Sequence, residues 1–219
     1  IMQQRMIEAD NSLGDNSGDG FELTPEKNPL KLFRLMNPSM KRLLITDILI
    51  RFCEQIPYAF VVIWSMKIIA KPVTALQFGT LTTIEMATAV LVYIPVAYLA
   101  DRSTKKPFVT ITFIFFTLFP LVLLYSRSFE MLIIAFIFRG LKEFGEPARK
   151  ALIMDLSPDN CRAGMFGLYY LIRDMVVAFA AIGGALLWLI SPEANFVTAF
   201  VFGVVGTIGF TMFGRDVQV

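Results

Sequence analysis

The sequence predicts an all-α membrane protein whose six helices cross the bilayer as two triplets. Two observations carry that expectation: long apolar runs, and charges confined to some of those runs and missing from others. Hydrophobic residues make up 56% of the chain and charged residues 17%, where a soluble domain carries roughly 25% charged residues. Mean hydropathy is +0.63, which fits a chain whose solvent is lipid.

The apolar segments cover residues 43–66, 75–100, 107–125, 131–154, 165–190 and 196–213. Each is close to the ~20 residues that a helix needs to cross the hydrocarbon core. The connections are short, so consecutive segments are expected to pack as antiparallel neighbours. Residues 1–28 are polar and rich in Gly, Asn and Asp, and read as a flexible linker. Residues 29–42 mix Leu30, Leu32, Phe33, Leu35 and Met36 with Lys31 and Arg34, as in a basic amphipathic segment lying on the membrane surface. Residues 43–214 form the bundle, and 215–219 a short tail. The chain begins with Ile and a polar stretch with no secretory signal, and is expected to be the C-terminal part of a longer one.

Lys and Arg set the expected orientation. With the linker in the cytoplasm, thirteen basic residues fall inside: Arg5, Lys27, Lys31, Arg34, Lys41, Arg42, Arg102, Lys105, Lys106, Arg149, Lys150, Arg162 and Arg215. Only Lys67, Lys71 and Arg127 fall outside. This bias puts both termini in the cytoplasm of a plasma (inner) membrane protein.

The remaining charges lie within the spans. An ion near the bilayer centre costs at least about 2.5–3.5 kcal/mol on insertion scales, so these residues should face protein or a wet cavity. Segment 1 carries Asp47, Arg51 and Glu54 at i, i+4 and i+7; segment 4 carries Arg139, Glu143 and Glu146 at the same spacing, with Lys142 beside them. At ~100° per residue each trio shares one helix face. Segment 2 adds Glu85 and segment 5 adds Arg173 and Asp174, while segments 3 and 6 have no interior charge and could face lipid all round. The matched spacing in segments 1 and 4 fits a three-helix repeat. These groups are the candidate transport and cavity residues. The bland alternative is that they only pair helices, with Asp47 and Arg51, one turn apart, the plainest such pair. Glu54 and Glu85 have the fewest local partners. Glu54, close to the midplane, is the expected proton-coupling residue, with Glu85 next. Burial pushes such a carboxyl toward neutral pH, while Arg51 opposes the shift.

The loop AYLADRSTKKP, residues 97–107, resembles the cytoplasmic signature loop of the major facilitator superfamily, G-x-L-A-D-R-x-G-R-[RK]. Leu99, Ala100, Asp101 and Arg102 match, as does Lys106 at the last basic position; Ala97, Thr104 and Lys105 depart from the pattern. The stretch 145–168 resembles that family's passage from a fourth into a fifth helix through Gly145, Pro147, Asp155, Pro158, Arg162, Ala163, Phe166 and Gly167, and AAIGGALL at 180–187 is a weaker echo of its glycine-rich fifth helix. The resemblance implies half of a twelve-helix transporter: the C-terminal six helices, with the missing N-terminal half as partner. First and fourth helices would line a central cavity, and the halves would rock to expose it to alternate sides. Asp101, Arg102, Lys106, Asp155 and Arg162 would then form a cytoplasmic gate, in which Asp101 faces a helix N-terminus and Arg102 pairs with an acid such as Asp155. The alternative is that this loop only anchors the topology.

Taken together, the expected function is secondary active transport of a small solute, coupled to protons, in contact with membrane lipid. No metal, cofactor or nucleic acid is expected. The sequence contains no His, the usual ligand and base of membrane enzymes. It contains no G-x-x-x-x-G-K-[ST] loop, which argues against an ATP-driven exporter. A non-transporting receptor or scaffold of the same fold is the competing reading. Cys53, in an apolar run, and Cys161, in a polar loop, are expected to be free thiols.

Overall fold

The computed structural model describes residues 29–100 and 104–214. The expectations for the linker 1–28, for Asp101 and Arg102 in the signature loop, and for the tail 215–219 lie outside the described residues. Among those described, every regular element is helical. In chain order they are α1 (Pro29–Leu35), α2 (Pro38–Tyr58), α3 (Phe60–Ile63, continued by a π-helical stretch Trp64–Ile68), α4 (Ala75–Ala100), α5 (Lys106–Tyr125), α6 (Phe129–Leu141), α7 (Glu146–Asp155), α8 (Arg162–Ile190) and α9 (Pro192–Phe213).

Local chemistry explains the starts and breaks. Asn37 caps α2 by accepting from Ser39 N at 3.0 Å, and Ser191 caps α9 by accepting from Ala194 N at 3.0 Å; each cap precedes a proline in the first turn. Segment 1 bends by 43° between α2 and α3. Pro57 has no N–H to give and its ring crowds the carbonyl of Cys53, so the regular helix ends there. The Trp64 indole then donates to the Leu123 carbonyl at 3.0 Å and ties α3 to α5.

Segment 4 departs from the expected continuous helix over 131–154. It is two helices, α6 and α7, joined by a tight turn over residues 142–145. Pro147 in the first turn of α7 cannot continue a helix arriving from α6. Glu143 N, Phe144 N and Glu146 N instead bond carbonyls three residues back. Gly145 lies against α5: a Cβ there would strike the Phe108 carbonyl, and its N–H donates to Thr112 Oγ1. Four helices are long and apolar enough to span a membrane, and the bent α2–α3 pair supplies a fifth. The sixth expected span is this broken segment, whose two halves, of 13 and 10 residues, are each too short to qualify singly.

The packing order also differs from a run of sequential neighbours. The main contacts are α2 with α8 and α9, α4 with α6, and α5 with α6 and α9. Exchanging segments 1, 2 and 3 for 4, 5 and 6 maps this set onto itself: segment 1 on 5 matches 4 on 2, and 1 on 6 matches 4 on 3. The two triplets are therefore visible in the packing. Segment 3 does not face outward all round. The apolar window of α5 is 44% buried, against 17% for α4 and 22% for α8, because α5 lies against α2, α6 and α9.

Two large apolar clusters and a smaller one around Ile56, Ala180 and Ala199 fill the bundle. One gathers Leu32, Met40, Phe113, Leu152, Met165 and Phe210; the other Val61, Trp64, Leu81, Phe119, Phe136 and Phe196. Two contacts sort the loops into ends. Lys71 N bonds Arg127 O at 3.2 Å, joining the turns after segments 1 and 3, while Lys105 pairs with Asp155, joining those after segments 2 and 4.

Candidate functional site

A belt of ion pairs links segments 1, 2, 4 and 5. Its dry end is centred on Asp47 of α2, where Asp47 and Arg149 are each 1% exposed. Arg149 of α7 reaches Asp47 Oδ2 through Nη1 and holds Glu146 twice, Nε to Oε2 at 3.0 Å and Nη2 to Oε1 at 2.6 Å. The Tyr169 hydroxyl donates to Asp47 Oδ2 at 3.1 Å, and Arg173 Nη1 stands 3.6 Å from the same oxygen. The Tyr170 ring lies beneath both guanidiniums, 4.2 Å from Arg173 and 5.8 Å from Arg149. A buried charge is tolerable only when paired and hydrogen-bonded, which is the state of this cluster.

The other end is more open. Glu54 lies between two cations, accepting from Arg51 Nη1 at 2.7 Å and from Lys142 Nζ at 2.5 Å. Arg51 Nη2 also reaches Glu146 Oε2 at 3.5 Å, which joins this end to the dry one. Both cations rest on the Phe116 ring of α5. Farther along α6, Arg139 pairs with Glu85 of α4 at 3.2 Å, with the rings of Tyr58, Phe119 and Phe136 around its guanidinium at 5.5–5.8 Å. Side chains here keep 13–18% exposure at Lys142, Arg139 and Arg51. Glu54, Tyr58, Val61, Phe116, Phe119, Arg139 and Lys142 enclose a narrow recess at this end.

Most of the expected cavity residues meet in this belt, by pairings that sequence distance does not give. Asp47 and Arg51 do not pair with each other; Asp47 takes Arg149 and Arg173, and Arg51 takes Glu54 and Glu146. Glu54 and Glu85 are fully partnered, with cations that segment 4 contributes. Arg149, counted among the cytoplasmic-side charges, is instead the most deeply buried cation of the belt. Glu143 does not share a face with Arg139 and Glu146, because the turn at 142–145 interrupts the helical register. The residues of segment 4 that pair within the belt are Arg139, Lys142, Glu146 and Arg149, spaced three, four and three apart. That spacing was the available signal for Lys142 and Arg149; Tyr169 and Tyr170 left none. Asp174 pairs with Arg173 at 2.7 Å but its side chain is 62% exposed.

At the other expected site, Lys105 holds Asp155, and Arg162 pairs locally with Asp159 at 2.6 Å on an exposed surface. Lys106 begins α5. Cys53 and Cys161 are free and buried; Cys161 sits in a 3-10 turn against the core rather than in an open loop. No group of three or more acidic or cysteine side chains among the described residues could hold a metal ion.

Comparison with known proteins adds two findings. The model of the Major Facilitator Superfamily matches residues 45–218. Over 113 residues the chain is 30% identical to an uncharacterized MFS-type transporter of Methanocaldococcus jannaschii, and the aligned part covers 51% of this chain and 28% of that relative. The match therefore spans less than a third of the relative's own length.

Proposed function

The chain belongs to the Major Facilitator Superfamily, and on that premise we propose that it works as the second six-helix half of a secondary active transporter that moves a small solute by alternating access, coupled to protons. The observation that supports this most is the ion-pair belt. Ten ionised side chains (Asp47, Arg51, Glu54, Glu85, Arg139, Lys142, Glu146, Arg149, Arg173 and Asp174) pair across four membrane segments. Holding so many ions at membrane depth is costly where only helix packing is required, since an apolar contact would serve as well. The belt's open end, with cations, carboxylates and aromatic walls around one recess, suits a polar solute that exchanges partners with the protein.

In this reading the first six-helix half supplies the opposite wall of the cavity. The Lys105–Asp155 pair, with Asp101, Arg102, Lys106 and Arg162, forms contacts that differ between the inward and outward states. The protein spans the plasma membrane with both termini in the cytoplasm.

Purified full-length protein in proteoliposomes tests the proposal. Uptake of a panel of radiolabelled amino acids, organic acids and sugars is followed with and without an imposed pH gradient. Gradient-driven accumulation of one solute class, collapsed by a protonophore, is the expected outcome. Failure of the whole panel to accumulate, with the protein shown to be folded and inserted, would count for a non-transporting role.

A further inference from the structure

We propose that Glu143, in the turn that breaks segment 4, is the side chain that carries the coupling proton; the inference rests on the transporter reading above. Every other carboxylate of the belt has at least one cation within 4 Å. Glu143 is half-buried at the same level, and its carboxylate makes no ion pair or hydrogen bond to another described residue. It follows Lys142 directly, yet Lys142 turns to Glu54.

Charge balance separates Glu143 from Glu54. A proton placed on Glu54 leaves Lys142 facing a neutral acid, and leaves Arg51 with only its longer contact to Glu146 at 3.5 Å. A proton placed on Glu85 does the same to Arg139. A proton placed on Glu143 strands no partner among the described residues. Loading and unloading that site leaves the remaining pairs intact.

The surroundings are defined. The ions whose fields reach Glu143 are Lys142 and Glu146 on its own segment and Arg51 and Glu54 on α2. The other helices packed on the break contribute Glu85 of α4, paired with Arg139, and Lys105 and Lys106 at the start of α5, of which Lys105 holds Asp155. The turn itself is the second observation. Breaks within membrane helices are where transporters place their coupling-ion sites, since backbone leaves helical register only where protein or a cavity supports it. Among the described residues no three acidic or cysteine side chains gather here to hold a metal ion, which suits a proton.

The test reads protonation directly and needs no substrate. Full-length protein in lipid is studied by infrared difference spectroscopy while pH is stepped across neutrality. The wild type should show a protonated-carboxyl C=O band that titrates reversibly. Glu143→Gln should lose it, Glu54→Gln should keep it, and Glu143→Asp, as a guard against misfolding, should retain it at a shifted position. A band that persists in Glu143→Gln, or the lack of any titrating band in the wild type, overturns the assignment. So does a spectral response to sodium, measured against choline, that Glu143→Gln abolishes, because the site would then be a sodium site. Solute uptake by the wild type is scored separately. Uptake without the band sinks this inference alone, and a band without uptake sinks the transporter reading alone.

Discussion

Arg149 is a cation with almost no access to solvent, and its position depends on having acceptors on two sides. Asp47 and Glu146 take its three donor nitrogens, and Tyr170 stacks below. Removing one partner of such a cluster leaves the others buried and unbalanced, which costs about 3–5 kcal/mol. Arg149→Met should therefore lower the thermal stability of the detergent-solubilised protein by about that amount. The double variant Arg149→Met with Asp47→Asn should recover part of the loss, since it removes an opposing charge as well. Equal loss in single and double variants would mean that the pair contributes little beyond packing. Lys150, one residue on and 45% exposed, touches Glu146 only at 3.8 Å. Lys150→Met should change stability by less than about 1 kcal/mol.

At the level of the element, two adjacent glycines in α8 have opposite surroundings. A Cβ on Gly184 would meet the Ile56 backbone of α2, at a place where Asn195 Nδ2 also bonds the Ile56 and Gly184 carbonyls at 3.2 and 2.8 Å. A Cβ on Gly183 meets nothing within 4 Å. Gly184→Ala should force α8 off α2 and cost about 1–3 kcal/mol. Gly183→Ala should be neutral or stabilising by up to about 1 kcal/mol through helix propensity. Melting curves of the two variants decide it, and equal effects would show that α8 does not pack on α2 as described. The breaks belong to this scale too. Pro57 and Pro147 were plain in the sequence, but neither was used to end a helix, because a hydropathy run averages across the one residue that cannot donate. Glu143 leaves the i, i+4, i+7 face for that reason, since no unbroken helix runs between Arg139 and Glu146.

For the molecule as a whole, the loop pairings fix which connections share an end, and the Lys and Arg bias predicts which of them is cytoplasmic. In a background lacking Cys53 and Cys161, Lys71→Cys should react with a membrane-impermeant maleimide added outside intact cells, and Thr104→Cys should not. The reverse pattern would invert the topology. The long apolar faces of α4 and α8, including Val90, Leu91, Ile94, Phe179, Ile182 and Leu186, are exposed in this chain. The 219-residue chain expressed alone should accordingly show no solute accumulation as a monomer, with its size in detergent checked alongside. Accumulation by a verified monomer would contradict the half-transporter reading.

The sequence by itself determined the class of solvent, the six apolar segments, their division into triplets and most of the residues that meet in the belt. Each of these follows from composition or from spacing along one helix, which the chain carries locally. Which acid holds which base was decided by tertiary structure. The partners of Asp47 lie 102 and 126 residues away, and Lys142 reaches Glu54 across 88. Such pairings depend on which helices touch, and the touching helices are mostly not sequential. Burial was decided at the same level: Arg149, counted at the cytoplasmic end of segment 4 from its sequence, is the driest cation because α7 turns it inward toward α2.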